Sequence, residues 1–189
     1  MPHDATVTGM ILLTTSRRPT KGIRTLCRDL QRTIPGLKRL NRGKMSLHEV
    51  GEKAAELGAD KIAIIGRWKG GFGRIRLLKV NEMITQVPPC ICIRSIKPQR
   101  EFDAAKKPSQ SLFVDGTNVG NPEAERLREG LSSFLGLPLM KTGPTPPEYR
   151  ATMRLAVESS HMIRLSFYVL PENAEVGPRM TISTVEWET

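Results

Sequence analysis

The chain has 189 residues, 39% of them hydrophobic, enough for one sizeable core and too apolar for disorder throughout. Lys and Arg number 29 against 19 acidic residues, a formal net charge of +10 that attracts polyanions and also suits a solubility device or a high-salt host. No stretch approaches the roughly 20 apolar residues of a membrane span, no signal peptide opens the sequence, and Cys27, Cys90 and Cys92 form no C-x-x-C pair. The reading is a cytoplasmic protein with buried free thiols.

Residues 10–14 form a short apolar run, read as a buried strand, followed by the loop Thr15-Ser16-Arg17-Arg18-Pro19-Thr20. Ile23, Leu26, Cys27, Leu30 and Ile34 then recur at helical spacing, with Lys21, Arg24, Arg28 and Arg32 on the other side and Pro35-Gly36 as the stop. Leu37 to Leu40 is a brief strand candidate, and Asn41-Arg42-Gly43-Lys44 a loop. Ser46 and Glu49 spell a capping box, so a second helix starts there, with Leu47, Val50, Ala54 and Leu57 toward the core and Gly58 at its end.

Residues 61–67 and 74–80 read as strands joined by Trp68-Lys69-Gly70-Gly71-Phe72-Gly73, a hairpin loop whose glycines can take positive φ. Residues 90–96 give one more strand, and 97–110, charged and carrying Pro98 and Pro108, a connector. The pattern then restarts. Leu112-Phe113-Val114 is a strand, Asn121 an N-cap with Pro122 at the first helical position, and Gly136 the helix end. A displacement of 101 positions sets Ile11 on Leu112, Leu26 on Leu127, Leu30 on Leu131 and Ile34 on Leu135. That register predicts a duplicated strand–helix unit; chance similarity between two amphipathic helices is the alternative. In the second copy a Pro-rich stretch at 143–147 replaces most of the second helix. Residues 151–157, open to strand or helix, and 163–169 suggest a hairpin turning near Ser159-Ser160, before a last strand at about 179–187.

The basic segment is the first candidate for function. Between Thr14 and Lys44 stand ten basic residues (Arg17, Arg18, Lys21, Arg24, Arg28, Arg32, Lys38, Arg39, Arg42, Lys44) and one acid, Asp29, a net +9. A merely solvated helix face intersperses acids for i,i+4 pairing; here they are nearly missing. Ser16 and Asn41 add loop donors for phosphates. A second patch is the hairpin, with Arg67, Lys69, Arg74, Arg76 and Lys79 and no acid from 67 to 79. Its Trp68 and Phe72 either stack on unpaired bases or pack on their neighbours.

Enzyme readings find little support. Gly70-Gly71-Phe72-Gly73 lacks the P-loop ending and opens no helix, and His3, His48 and His161 lack metal-ligand spacing. Cys90 and Cys92 are expected to point to opposite faces of a strand. No catalytic residue, metal or cofactor is nominated.

Leu13-Thr14-Thr15-Ser16-Arg17-Arg18-Pro19-Thr20, then a basic helix, then Pro35 and Arg39-Leu40-Asn41-Arg42-Gly43, resembles the opening of the Brix domain. Glu175-Val176-Gly177-Pro178-Arg179-Met180-Thr181 resembles its closing Gly-Pro-Arg motif, and the pattern covers about residues 10–188. The match is quite specific in the first half and loose from Asn118 to Thr145. The resemblance implies an α/β (α+β) fold of two similar halves by internal duplication, each akin to the anticodon-binding domain of class II aminoacyl-tRNA synthetases. The expected organisation is a single domain over 1–189, with an N-terminal half at 10–96, the connector at 97–110 and a C-terminal half at 111–189. The implied role is ribosomal RNA maturation and subunit assembly, in a compact archaeal form and without catalysis. Partners would be ribosomal RNA precursor and ribosomal proteins or other assembly factors, with no small-molecule substrate and no membrane. The alternatives are a protein-binding scaffold without RNA contact and an RNA-processing enzyme. Residues expected to meet RNA are those of the basic segment except Lys38, together with Ser16, Asn41, Arg67, Lys69, Arg74, Arg76 and, from the closing motif, Arg179.

Overall fold

The computed structural model of the chain describes residues 9–103, 105–109, 111–141 and 147–188. The first half holds β1 (Ile11–Thr15), α1 (Lys21–Thr33), β2 (Leu37–Arg39), α2 (Leu47–Glu56), β3 (Lys61–Gly66), β4 (Gly73–Val80) and β5 (Ile84–Lys97). After a 3-10 turn at Gln99–Glu101 come β6 (Leu112–Asp115), α3 (Pro122–Leu135), β7 (Leu139–Met140), β8 (Ala151–Val157), β9 (Ile163–Val169), β10 (Ala174–Glu175) and β11 (Arg179–Glu186).

Local chemistry sets the helix ends. Thr20 accepts a hydrogen bond from the Ile23 amide at the start of α1. Ser46 and Glu49 close the expected capping box on α2. Asn121 caps α3 with Pro122 at its first position, and Gly136 ends it at φ +65°, a conformation costly for other residues.

All strands join one sheet in the order β2-β1-β3-β4-β5-β11-β9-β8-β6-β7, with β10 on β9. Parallel pairs β1–β2 and β1–β3 are followed by antiparallel β3–β4 and β4–β5. The same senses recur in β6–β7, β6–β8, β8–β9 and β9–β11. Strand β11 lies between β9 and β5, antiparallel to both, and unites the sheet.

Helices α1 and α3 pack on the same face. Their apolar stripes, with Leu26 and Leu127 fully buried, share one core with Ile65, Ile93, Phe167 and Ile182 of the sheet. Helix α2 covers the opposite face of the first half, over Leu12, Ile62, Ile64 and Leu78. Lys61 ties the halves further: its Nζ donates to the carbonyl of Phe134, 2.9 Å away, in the last turn of α3, where a cation suits the helix dipole.

Three sequence expectations need correction or completion. Strand β5 begins at Ile84, six residues before the expected start. Pro88 and Pro89 hid this extension, and the ladder tolerates them because the β4–β5 register shifts between Ile75 and Leu77, opposite these prolines. Residues 151–157 are a strand, with Ala151, Met153 and Leu155 on the core face. The hairpin glycines do not use positive φ. They admit close approach: a Cβ on Gly70 would overlap the Trp68 ring, and one on Gly71 would lie 2.7 Å from the Ile93 carbonyl oxygen. The stretch expected to replace a second helix falls largely on 142–146, outside the described residues.

The closing Gly-Pro-Arg segment is a structural junction. Thr33 of α1 and the side chain of Gln99 both donate to the Gly177 carbonyl, while the Gln99 amide donates to the buried Asp29 carboxylate at 2.9 Å. Gly177 sits at φ +65°, and any Cβ there would run into the Phe102 ring. Gly177→Ala should therefore destabilise the fold by about 1–3 kcal/mol, combining a left-handed backbone with a clash. Urea unfolding checks this; an unchanged midpoint would show that Phe102 yields freely.

Candidate nucleic-acid interface

The parallel strands β2, β1 and β3 run side by side, so their carboxyl ends share one edge of the sheet. From that edge leave the 16–20 loop, the 40–46 loop and the 67–72 hairpin. Three basic segments distant in sequence thus become neighbours through topology alone. Helix α1 starts at this edge with Lys21 and runs away from it, carrying Arg24, Arg28 and Arg32 on its exposed side. Arg32 lies about 12 Å along the helix axis from Arg24.

Arg42 organises the edge. It is 9% exposed; its Nε donates to the Met45 carbonyl at 2.8 Å and its Nη1 to the Thr15 carbonyl at 3.4 Å. Arg17 reaches the same Met45 carbonyl at 3.4 Å, and Thr14 donates to the Leu40 carbonyl at 2.8 Å, so the two loops are laced together. Burial, and then the charges of Arg17 and Arg76, push the Arg42 guanidinium below its ordinary pKa. Arg76 stands opposite Ile64 on the face that α2 covers, and Arg74 is two residues along on the same face. Among the described residues none of Arg17, Arg42, Arg74 and Arg76 forms an ion pair. Repulsion among these like charges is relieved by an anion.

The remaining expected contacts divide. Ser16, Arg18, Lys44, Arg67 and Lys69 lie on or beside these loops, all exposed except the half-buried Ser16. Arg39 donates to Asn41 at 2.7 Å, so these two partly satisfy each other. Arg28 and Arg32 border a separate cleft beside the connector, where Arg100, Lys106 and Lys107 join them. Sequence reading passed over these three because acids alternate with them from 99 to 107. Arg179 does not join the edge: it is paired with Glu175, which raises its pKa, and lies over the Phe102 ring. Phe72 packs against the main core, and Trp68 lies over its own loop glycines, so the packing alternative holds for both aromatics. In the second half Arg128 is 4% exposed and paired with Glu125, and Arg126 stacks on Trp187 at 4.0 Å.

The cysteine expectation is overturned. Residues two apart on a strand share a face, so Cys90 and Cys92 point the same way, beside Glu186 of β11. Burial and then the Glu186 charge raise both thiols, Cys92 to about 11. Cys27, deep in the core, is raised by burial to about 12. An apolar cavity of about 50 Å3 lies between α1, α3 and the sheet, lined by residues such as Leu30, Ile34, Met153 and Phe167; these offer no polar group for catalysis.

The fold matches solved structures, among them the following two. A probable ribosomal biogenesis protein from Aeropyrum pernix superposes with a TM-score of 0.74 at 23% identity, over 93% of this chain and 96% of the other. An archaeal Imp4-like protein gives 0.66 at 22%, over 94% and 99%. The architecture is therefore that of the Imp4-like ribosomal biogenesis structures. No protein-family model matches the sequence. Relatives named as probable Brix domain-containing ribosomal biogenesis proteins do. The Aeropyrum pernix protein is 44% identical over 69 residues, 36% of this chain and 38% of that relative. The Pyrococcus horikoshii protein is 35% identical over 93 residues, 49% and 42% of the respective lengths. The matched segments thus span less than half of these two relatives, whereas the Methanopyrus kandleri protein aligns at 28% over 175 residues, 89% of this chain and 90% of its own length. The chain is thus similar, along most of its length, to probable Brix domain-containing ribosomal biogenesis proteins.

The edge geometry separates a buried arginine from an exposed one. Arg42→Ala should lower stability by about 1–3 kcal/mol, leaving carbonyls of both loops without their donor. Arg17→Ala, at an exposed position, should shift it by no more than about 0.5 kcal/mol. Equal losses in chemical denaturation would refute the division.

Proposed function

We propose that the protein is a non-catalytic, cytoplasmic ribosome-assembly factor that binds ribosomal RNA precursor through the carboxyl edge of its first half. One observation carries the reading: Arg17, Arg42, Arg74 and Arg76 converge at that edge, and among the described residues none of them forms an ion pair. A protein that met only neutral surfaces would have no use for such a cluster, whereas a phosphate backbone neutralises it. The relatives' names as ribosomal biogenesis proteins support the setting, with ribosomal proteins or other assembly factors as further partners. The cleft beside α1 extends the basic surface along the arginine stripe, toward a second stretch of backbone.

The recurrent strand pairing and the 101-residue register support descent of the two halves from one duplicated unit, each akin to an anticodon-binding domain, with residues 97–110 as the connector. In the second half Arg128, Arg154 and Arg179 are paired with carboxylates and Arg126 stacks on Trp187, so the RNA affinity lies mainly in the first.

If about 4–6 phosphates are neutralised, log affinity for structured RNA should fall with log salt at a slope of about −3 to −5. Changing Arg17, Arg24 and Lys44 together to Ser should weaken binding and make the slope shallower; changing Lys53, Lys141 and Arg150 should leave both near their starting values. Equal losses from the two sets, read by filter binding across a salt series, would show diffuse charge and no site. A flat salt dependence would remove the electrostatic basis altogether. The purified protein should also fail to hydrolyse RNA or nucleoside triphosphates with added divalent metal. Turnover that a point mutation in this chain abolishes would overturn the non-catalytic reading.

A further inference from the structure

We propose that Cys90, Cys92 and Glu186 form a binding site for a thiophilic metal ion, zinc(II) or copper(I), on the seam between the two halves. The site does not depend on RNA binding.

The three side chains come from the two strands that meet at the centre of the sheet. Glu186 is the cross-strand partner of Cys90, and Cys92 follows two residues on, so all three project from one face. Their ligand atoms all lie within 4.8 Å of one another, and the Cys92 Sγ is 3.8 Å from the Glu186 Oε1. Two thiolates on a tetrahedral zinc, at about 2.3 Å each, stand about 3.8 Å apart. Small rotations of the side chains therefore suffice, with no movement of the strands.

The donor set is selective. Two sulfurs favour zinc and copper(I) over magnesium or calcium, which take oxygen ligands. The thiols are buried, at 3% and 0% exposure, whereas Glu186 is exposed, so an ion enters on the carboxylate side and keeps a position for water. Among the described residues no Lys or Arg pairs with Glu186. Binding displaces one proton from each thiol. With a divalent ion, two thiolates and one carboxylate leave a net charge of −1. Arg74, the cross-strand partner of Cys92, stands ready to balance it, with Arg76 two residues along.

A disulfide is the competing use of two neighbouring cysteines. Positions two apart on an extended strand hold their Cα atoms about 6.6–6.8 Å apart, at the far end of the usual disulfide range. Strand geometry thus favours the dithiol, the form that binds metal.

The test is titration of the reduced full-length protein with Cd2+, followed by the thiolate-to-metal charge-transfer band. The band should saturate at one equivalent, disappear in Cys90→Ser and Cys92→Ser, and persist in Cys27→Ser. Glu186→Gln, at an exposed position that leaves folding intact, should weaken binding without abolishing the band. Parallel dialysis against Zn2+, and against Cu+ with a competing chelator, identifies the ion, and the bound ion should raise the melting temperature of the wild type but not of Cys92→Ser. The proposal falls if no band forms, if the band survives loss of both Cys90 and Cys92, if Glu186→Gln binds as tightly as the wild type, or if neither Zn2+ nor Cu+ is retained.

Discussion

The antiparallel seam between β5 and β11 is the constraint on which the rest of the molecule depends. It runs from the Arg179–Lys97 pair to the Glu186–Cys90 pair and turns two partial sheets into one. Because the sheet is continuous, α1 and α3 share one apolar core across it, with Ile93 of β5 and Ile182 of β11 at its middle. Without the seam each half would expose an apolar face that its own helix is too short to cover. The hydrogen bonds around Gly177 and the Lys61–Phe134 contact reinforce a union that the backbone ladder already makes.

With both long helices on the core face and α2 over the opposite face of the first half, the carboxyl edge of the parallel strands carries the exposed loops. Three parallel strands deliver their following loops to one side, as parallel strands must. Arg42 then serves as internal scaffolding, its charge directed at the carbonyls that fix the loop shapes. The exposed arginines around it need no partner to hold them, because their backbone is already in place. Such preorganisation lowers the entropy lost when a flexible polyanion is captured.

Much of this was legible in the sequence, for reasons that are local. The Ser46–Glu49 box, the Asn121–Pro122 start and the Gly136 stop are short-range chemistry, and each stands where its residues indicate. The apolar register of α1 fixed which arginines face solvent. What was not legible depends on partners distant in the chain. Arg42 read as a surface cation because the sequence does not reveal the Thr15 carbonyl, 27 positions away, that helps to bury it. The start of β5 was hidden by Pro88 and Pro89, whose tolerance requires the bulge that they themselves occupy in β5. The shared orientation of Cys90 and Cys92 was legible from strand periodicity and was misread; the approach of Glu186, from a strand 94 positions beyond Cys92, was not.

The strand that closes the middle of the sheet follows every other described strand in the chain and so leaves the ribosome after them. Until residues 179–186 are synthesised, β5 is the outer strand of a five-stranded sheet, with an unpaired ladder and with Ile91 and Ile93 flanked on only one side. Nascent edges of that kind recruit other chains. Pro88 and Pro89 at one end and the exposed Arg94 near the other shorten the stretch open to a stranger. A sheet whose centre is completed after both flanks has to protect that centre while the second flank is being made.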